Sequence, residues 1–219
     1  MERTTFTTDD GLTLEADLWL PDGPALGSAV VCHAHPRFGG SKDYPLLWGI
    51  RIELVRRGFA VLAFNFRGVM GSEGDFAGGV DEVLDVRAAV GRARMAAEGP
   101  TVVCGWSFGA HVALRACLDD ERVAGLALVG MPLTGADPTL PSFPDPDRLR
   151  SYARPVLLLA GGDDPYCPAS DLKVLAETLP DARIHIVPDA DHYFRRQERE
   201  AGGIVATFAA EVAAAGLGQ

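Results

Sequence analysis

Cysteine is scarce and unpatterned in this sequence. Four residues, Cys32, Cys104, Cys117 and Cys167, are spread over 219 positions, without the paired spacing of a zinc site or the density of a disulfide scaffold. Three fall in strand or helix patterns that predict burial as reduced thiols. Cys167 falls in a predicted loop close behind Asp164 and is expected to be exposed. Positive charge is also in short supply: 20 Lys and Arg face 30 Asp and Glu, a formal net charge of −10. That balance repels phosphate backbones and anionic membrane surfaces, so neither nucleic acid nor a membrane is an expected partner. Long apolar runs are missing as well. The longest uncharged one, residues 123–136, contains Gly and Pro and is too short to span a bilayer. Residues 1–11 are polar and lack a basic segment followed by an apolar one, so no secretory signal is visible and a cytoplasmic protein is expected. No repeat, linker or second composition divides the chain, and a single domain over residues 1–219 is the expectation.

What the chain does contain is ordinary soluble-protein material, 47% hydrophobic and 23% charged, in a length that can bury the core of one α/β domain. Residues 4–8 and 12–20 are β-prone and joined by Asp9-Asp10-Gly11, which predicts an antiparallel hairpin. Short apolar runs at 29–32, 59–64, 101–104, 123–129, 156–159 and 183–187 then read as strands. Amphipathic helices are predicted between them near 44–57, 79–98, 108–118 and 170–178, with an Ala-rich helix at 203–215. Residues 131–147 read as an irregular Pro/Asp-rich stretch. Strands alternating with helices imply a mostly parallel, twisted sheet of about eight strands, with helices on both faces and the hairpin at one edge. The short gap between the strands at 123–129 and 156–159 leaves no room for a large lid.

Ligands in such a sheet gather at the carboxyl ends of the strands, so what each strand delivers there matters most. The strand at 101–104 runs directly into Gly105-Trp106-Ser107-Phe108-Gly109, a Gly-x-Ser-x-Gly sequence placed where a strand turns into a helix. With 25 glycines and seven serines, a shuffled chain would contain this motif about one time in ten, so its context has to decide. The strand at 156–159 runs into Gly161-Gly162-Asp163-Asp164-Pro165, and the strand at 183–187 runs into Asp189-Ala190-Asp191-His192. The order Ser, Asp, His, with each member just beyond a strand, is the order of an α/β-hydrolase triad. Taken singly, Asp164 reads equally as a turn residue before Pro165, and His192 as a satisfied surface or core histidine.

On these residues the chain resembles the α/β-hydrolase superfamily over essentially its whole length. Three stretches, His33-Ala34-His35-Pro36-Arg37-Phe38-Gly39-Gly40, Asn65-Phe66-Arg67-Gly68 and Gly71-Ser72-Glu73-Gly74, are similar to those of small bacterial serine hydrolases with little or no lid and an HPHPxxGG loop. Ala34 stands where proline is usual, a change expected to loosen the loop while leaving its backbone N–H groups available. The resemblance implies an α/β-hydrolase fold and a catalytic Ser107 with His192 as base. It also implies Asp164 rather than its neighbour Asp163 as the acid, because the relatives' Gly-x-x-Asp-x-x-x-Pro pattern falls on Gly161, Asp164 and Pro168. The oxyanion donors would be the N–H groups of Phe108 and of the 34–38 loop, His35 foremost. Ser107 Oγ would attack an acyl carbonyl while His192 takes its proton and Asp164 holds the imidazole, giving an acyl-enzyme without cofactor or metal.

The other histidines read as structural: His111 packed beneath the site, His185 inside a strand, and His33 in the loop for its backbone. Arg67 is expected to buttress the elbow rather than touch substrate. Phe38, Tyr44, Trp106, Tyr166 and Tyr193 are candidates for the walls of a substrate pocket, with ordinary packing as the alternative. The expected function is hydrolysis of a carboxylic ester by a monomer or homodimer acting on a small acyl substrate. The same triad would serve a thioesterase or a small peptidase or amidase, and a non-catalytic binding protein on this fold is the alternative from another class. A serine at the elbow argues against the Asp-nucleophile epoxide hydrolases and dehalogenases and the Cys-nucleophile dienelactone hydrolases.

Overall fold

The computed structural model describes residues 1–134 and 139–216. Eight strands form one sheet: β1 (Glu2–Thr7), β2 (Thr13–Trp19), β3 (Gly27–Cys32), β4 (Phe59–Phe64), β5 (Thr101–Trp106), β6 (Gly125–Val129), β7 (Val156–Gly161) and β8 (Ala182–Val187). Their spatial order is β1-β2-β4-β3-β5-β6-β7-β8. The β1–β2 and β2–β4 pairs are antiparallel and all the others parallel. The expected edge hairpin is therefore present, and β5 lies inside the parallel part of the sheet. Six α-helices among the described residues complete the fold: α1 (Pro45–Arg56), α2 (Glu82–Arg94), α3 (Phe108–Cys117), α4 (Pro146–Arg150), α5 (Ala169–Thr178) and α6 (Glu198–Gly216).

Strand side chains alternate between two core layers, as a period of two requires. In β5, Val103 enters the layer it shares with α2, α3 and α5. Val102, Cys104 and Trp106 enter the layer formed with α1 and α6. Because helices cover both faces, the central strands are buried throughout and read as continuous apolar runs.

Three elements differ from their sequence-based limits, each for a local reason. Helix α2 starts later than expected because Gly78 and Gly79 hold positive φ, and the Glu82 carboxylate turns back to accept the N–H groups of Ala77 and Gly79. Helix α6 starts earlier, at Glu198, with Gly202 and Gly203 inside it. Gly202 weakens the helical pattern but is needed for packing: a Cβ there would lie 2.5 Å from the Gly49 carbonyl oxygen on α1. The stretch read as irregular contains the short helix α4, whose first turn is capped by Asp145 accepting from the Asp147 N–H at 2.8 Å; residues 135–138 of that stretch lie outside the described part.

One expectation is overturned outright. Cys167 is fully buried, packed in the core layer with Met131 and Leu172, and burial raises its thiol pKa well above the usual range. Cys167 does lie in a loop, but this loop tucks its cysteine inward. His185 lies in β8 as expected, and with β8 at the sheet edge its side chain is exposed. No helix among the described residues is long and apolar enough to cross a membrane.

Candidate active site

β5 ends at Trp106, and Ser107 turns the chain into α3 with φ 56° and ψ −120°. A non-glycine residue rarely holds such a conformation, and the surrounding packing has to enforce it. Its N–H donates to the Val129 carbonyl on β6 at 2.9 Å. The flanking glycines leave no space for side chains: a Cβ at Gly105 would sit 2.3 Å from the Gly109 carbonyl oxygen, and one at Gly109 would sit 2.5 Å from the oxygens of Cys32 and His33. The motif's glycines are thus required by the approach of α3 to β5 and β3, and the result is a serine aimed into solvent-accessible space at the strand ends.

The loops after β7 and β8 reach the same point. His192 Nε2 lies 3.1 Å from Ser107 Oγ, and its Nδ1 lies 2.8 Å from Asp164 Oδ2. A carboxylate oxygen accepts, so Nδ1–H donates to it and leaves Nε2 to accept from the serine hydroxyl. The other carboxylate oxygen, Oδ1, accepts the Tyr166 N–H at 2.9 Å, which fixes the rotation of the group. Both loops are drawn together by Gly161, where a Cβ would lie 2.2 Å from the Ala190 carbonyl oxygen. Asp163 follows a different course: its N–H donates to Ala190 at 2.9 Å, and its side chain is exposed. The structure therefore brings Ser107, Asp164 and His192 together and leaves Asp163 outside.

The loop after β3 is pinned from several sides despite Ala34 in place of proline. The His35 carbonyl accepts the N–H groups of Phe38 and Gly40, and His35 Nδ1 accepts the Arg37 N–H at 3.1 Å, so its Nε2–H donates to Thr139 Oγ1 at 2.8 Å. A Cβ on Gly40 would lie 2.0 Å from the Ala34 oxygen. Phe108 is the first residue of α3, so its N–H belongs to the turn of donors that a helix does not use internally. Its ring packs beneath this loop against His35, Phe66 and Phe76.

His33 ties this loop to the next one. Its Nε2 accepts the Phe66 N–H at 3.0 Å while Nδ1–H donates to the Ala34 oxygen at 2.6 Å. Protonating it would set two N–H groups against each other in a fully buried place, and burial lowers its pKa from 6.5 to about 4. In the unfolded chain the ring takes up a proton near pH 6.5, while in the folded chain it resists until about pH 4, so stability falls as pH drops across that window, by on the order of 3 kcal/mol in full. Urea unfolding at pH 6.5 and 4.5 is expected to show this loss, and His33→Asn should flatten the slope by close to one proton. An unchanged slope in the variant would refute the assignment. His111, also buried and shifted down, adds to the same trend; it donates to the Pro132 oxygen at 2.7 Å beneath the site.

Arg67 lies outside the cavity. It is 4% exposed, with Nε and Nη2 on Asp85 Oδ1 at 2.9 and 2.7 Å and Nη1 on Asp10 at 2.9 Å. Its position braces the 65–74 loop.

Ser107 opens onto a cavity of about 730 Å³. Phe38, Tyr44, Trp106, Tyr166 and Tyr193, the five wall candidates, all line it, together with His35, Leu140 and Arg195. Phe38 and Tyr166 project into solvent, 76% and 50% exposed, whereas Trp106 is only 1% exposed and its indole N–H donates to the His192 carbonyl oxygen at 3.1 Å. Leu140 and Arg195 carried no sequence signal as wall residues. Leu140 comes from the stretch read as irregular, and Arg195 reaches the site because the loop after His192 folds back.

A serine on a strained elbow, hydrogen-bonded to a histidine and through it to a carboxylate, on a sheet of this topology, defines an α/β serine hydrolase homologue. The chain belongs to the alpha/beta hydrolase domain family, whose model matches residues 27–215. An uncharacterized protein of Rickettsia prowazekii is 31% identical over 182 residues, covering 78% of this chain and 74% of that one. Among solved structures, an α/β serine hydrolase without a lid from Xanthomonas campestris is 26% identical with a TM-score of 0.79, covering 96% of this chain and 94% of that one. An esterase of Pyrococcus furiosus shares the fold at 20% identity and a TM-score of 0.79, covering 96% and 92%.

Proposed function

We propose that this protein hydrolyses carboxylic esters through an acyl-enzyme on Ser107. The observation that carries the proposal is the unbroken chain from Ser107 Oγ to His192 Nε2 and from His192 Nδ1 to Asp164 Oδ2. His192 accepts the serine proton as Oγ attacks the acyl carbonyl, and then returns it to the leaving alcohol. Water enters by the same route, with His192 again as base, and releases the acid. Asp164 keeps the imidazole in the tautomer that this requires and stabilises the imidazolium. The N–H groups of Phe108 and His35 are the proposed donors to the oxyanion, and losing one such donor typically costs about a hundred- to a thousandfold in rate. The aromatic walls and the volume of about 730 Å³ leave room for a small acyl ester beside Ser107.

A fluorophosphonate probe tests the reading directly. Peptide mapping is expected to find the label on Ser107 of the folded protein, and absence of label there would favour a binding protein that keeps the fold. The same triad accommodates thioesters and small amides, and a panel of all three acyl classes ranks them by kcat/KM.

A further inference from the structure

Trp106 is placed to do more than wall the cavity. It ends β5, one residue before Ser107, and is buried at 1% exposure. Its indole N–H donates to the main-chain carbonyl of His192 at 3.1 Å, and its ring lies 5.9 Å from the His192 imidazole and 4.6 Å from the Tyr44 ring.

The loop that carries His192 depends on contacts of this kind. Between β8 and α6, Asp189, Phe194 and Arg196 take φ of 55°, 51° and 66°, a region that residues with a side chain rarely occupy unless neighbours enforce it. Several bonds enforce it from within the loop: Asp191 Oδ1 accepts the N–H groups of Tyr193 and Arg195, and Gln197 Nε2 donates to the Pro188 oxygen at 3.0 Å. Those bonds shape the loop, whereas the Trp106 bond joins residue 192 itself to the strand that delivers Ser107. Asp164 fixes how the imidazole turns; the Trp106 bond fixes where its main chain stands.

We infer that Trp106 is a positioning residue for His192, setting the separation between the imidazole and the Ser107 hydroxyl through its indole N–H. The inference rests on the reading of Ser107 and His192 as nucleophile and base. Small misplacements matter because proton transfer and attack require the reacting atoms in near-contact geometry.

Trp106→Phe keeps a buried aromatic ring and removes the donor. The expected result is a fall of about tenfold in kcat and in the rate of fluorophosphonate labelling, with KM within about twofold. The proton resonance of His192 Nδ1–H should broaden as the histidine loosens against Asp164. A pocket-wall role would instead raise KM and leave kcat, and a packing role would lower the melting temperature without changing kcat well below it; either result overturns the inference. Trp19→Phe is the control, since the Trp19 indole nitrogen is buried without a hydrogen-bond partner and lies away from the site, so kcat should not move. Should Trp106→Phe fail to fold, benzothienylalanine at position 106 retains the bicyclic shape without the N–H, and the same fall is expected. Wild-type protein labelled on Ser107, with both replacements labelled equally fast, overturns this inference alone. Wild-type protein left unlabelled overturns the serine-hydrolase reading, and this inference with it.

Discussion

Ser107→Ala will reduce the hydrolysis of short-chain p-nitrophenyl esters by about 10⁴-fold or more and leave the melting temperature almost unchanged. The size follows from the serine's proposed role as the bond-forming atom, since triad members act as a unit and removal of the nucleophile forfeits nearly all of their joint contribution. The small effect on stability follows from the site. Ser107 is 8% exposed, and the Oγ bond to His192 at 3.1 Å is worth about 1 kcal/mol net. The positive φ of 56° strains alanine as much as serine, so the exchange does not alter that cost. Ester hydrolysis that survives at the wild-type rate would mean another nucleophile, and a collapsed melting temperature would mean that the serine holds the elbow together.

Asp164→Asn should cost about 10⁴-fold in kcat, while Asp163→Asn should leave kcat within about twofold. The Asp164 carboxylate divides its oxygens, Oδ1 accepting the Tyr166 N–H and Oδ2 accepting from His192 Nδ1. An asparagine amide keeps its oxygen on the Tyr166 N–H and turns its NH₂ toward the histidine. Nδ1 must then accept, the ring proton moves to Nε2, and the nitrogen facing Ser107 has no lone pair to take a proton. Asp163 has its side chain in solvent and contributes its backbone N–H to Ala190, which asparagine supplies equally well. Steady-state kinetics on the two variants reads the difference, and a large loss at Asp163 with little at Asp164 would reverse the assignment.

Much of the fold could be read along the chain because the information is periodic. Apolar runs mark the central strands and the hairpin turn marks the antiparallel edge. The errors fall where a residue serves a distant neighbour: Gly202 sits inside α6 because α1 comes too close for a Cβ, and Cys167 is buried although it lies in a loop, because it packs into the core layer that holds Met131 and Leu172.

For the site, the sequence by itself determined which chemical groups are available and that each follows a strand. It placed Ser107 between glycines, Asp164 after β7 and His192 after β8. Only the tertiary structure decided their separations, since the bonds join residues 28 and 85 positions apart. A parallel sheet sets its carboxyl ends side by side whatever the length of chain between them, so adjacency in space follows strand order rather than sequence distance. The same cause hid the Trp106 bond to His192: a motif shows a tryptophan beside a serine, and only the packed sheet shows what its N–H reaches.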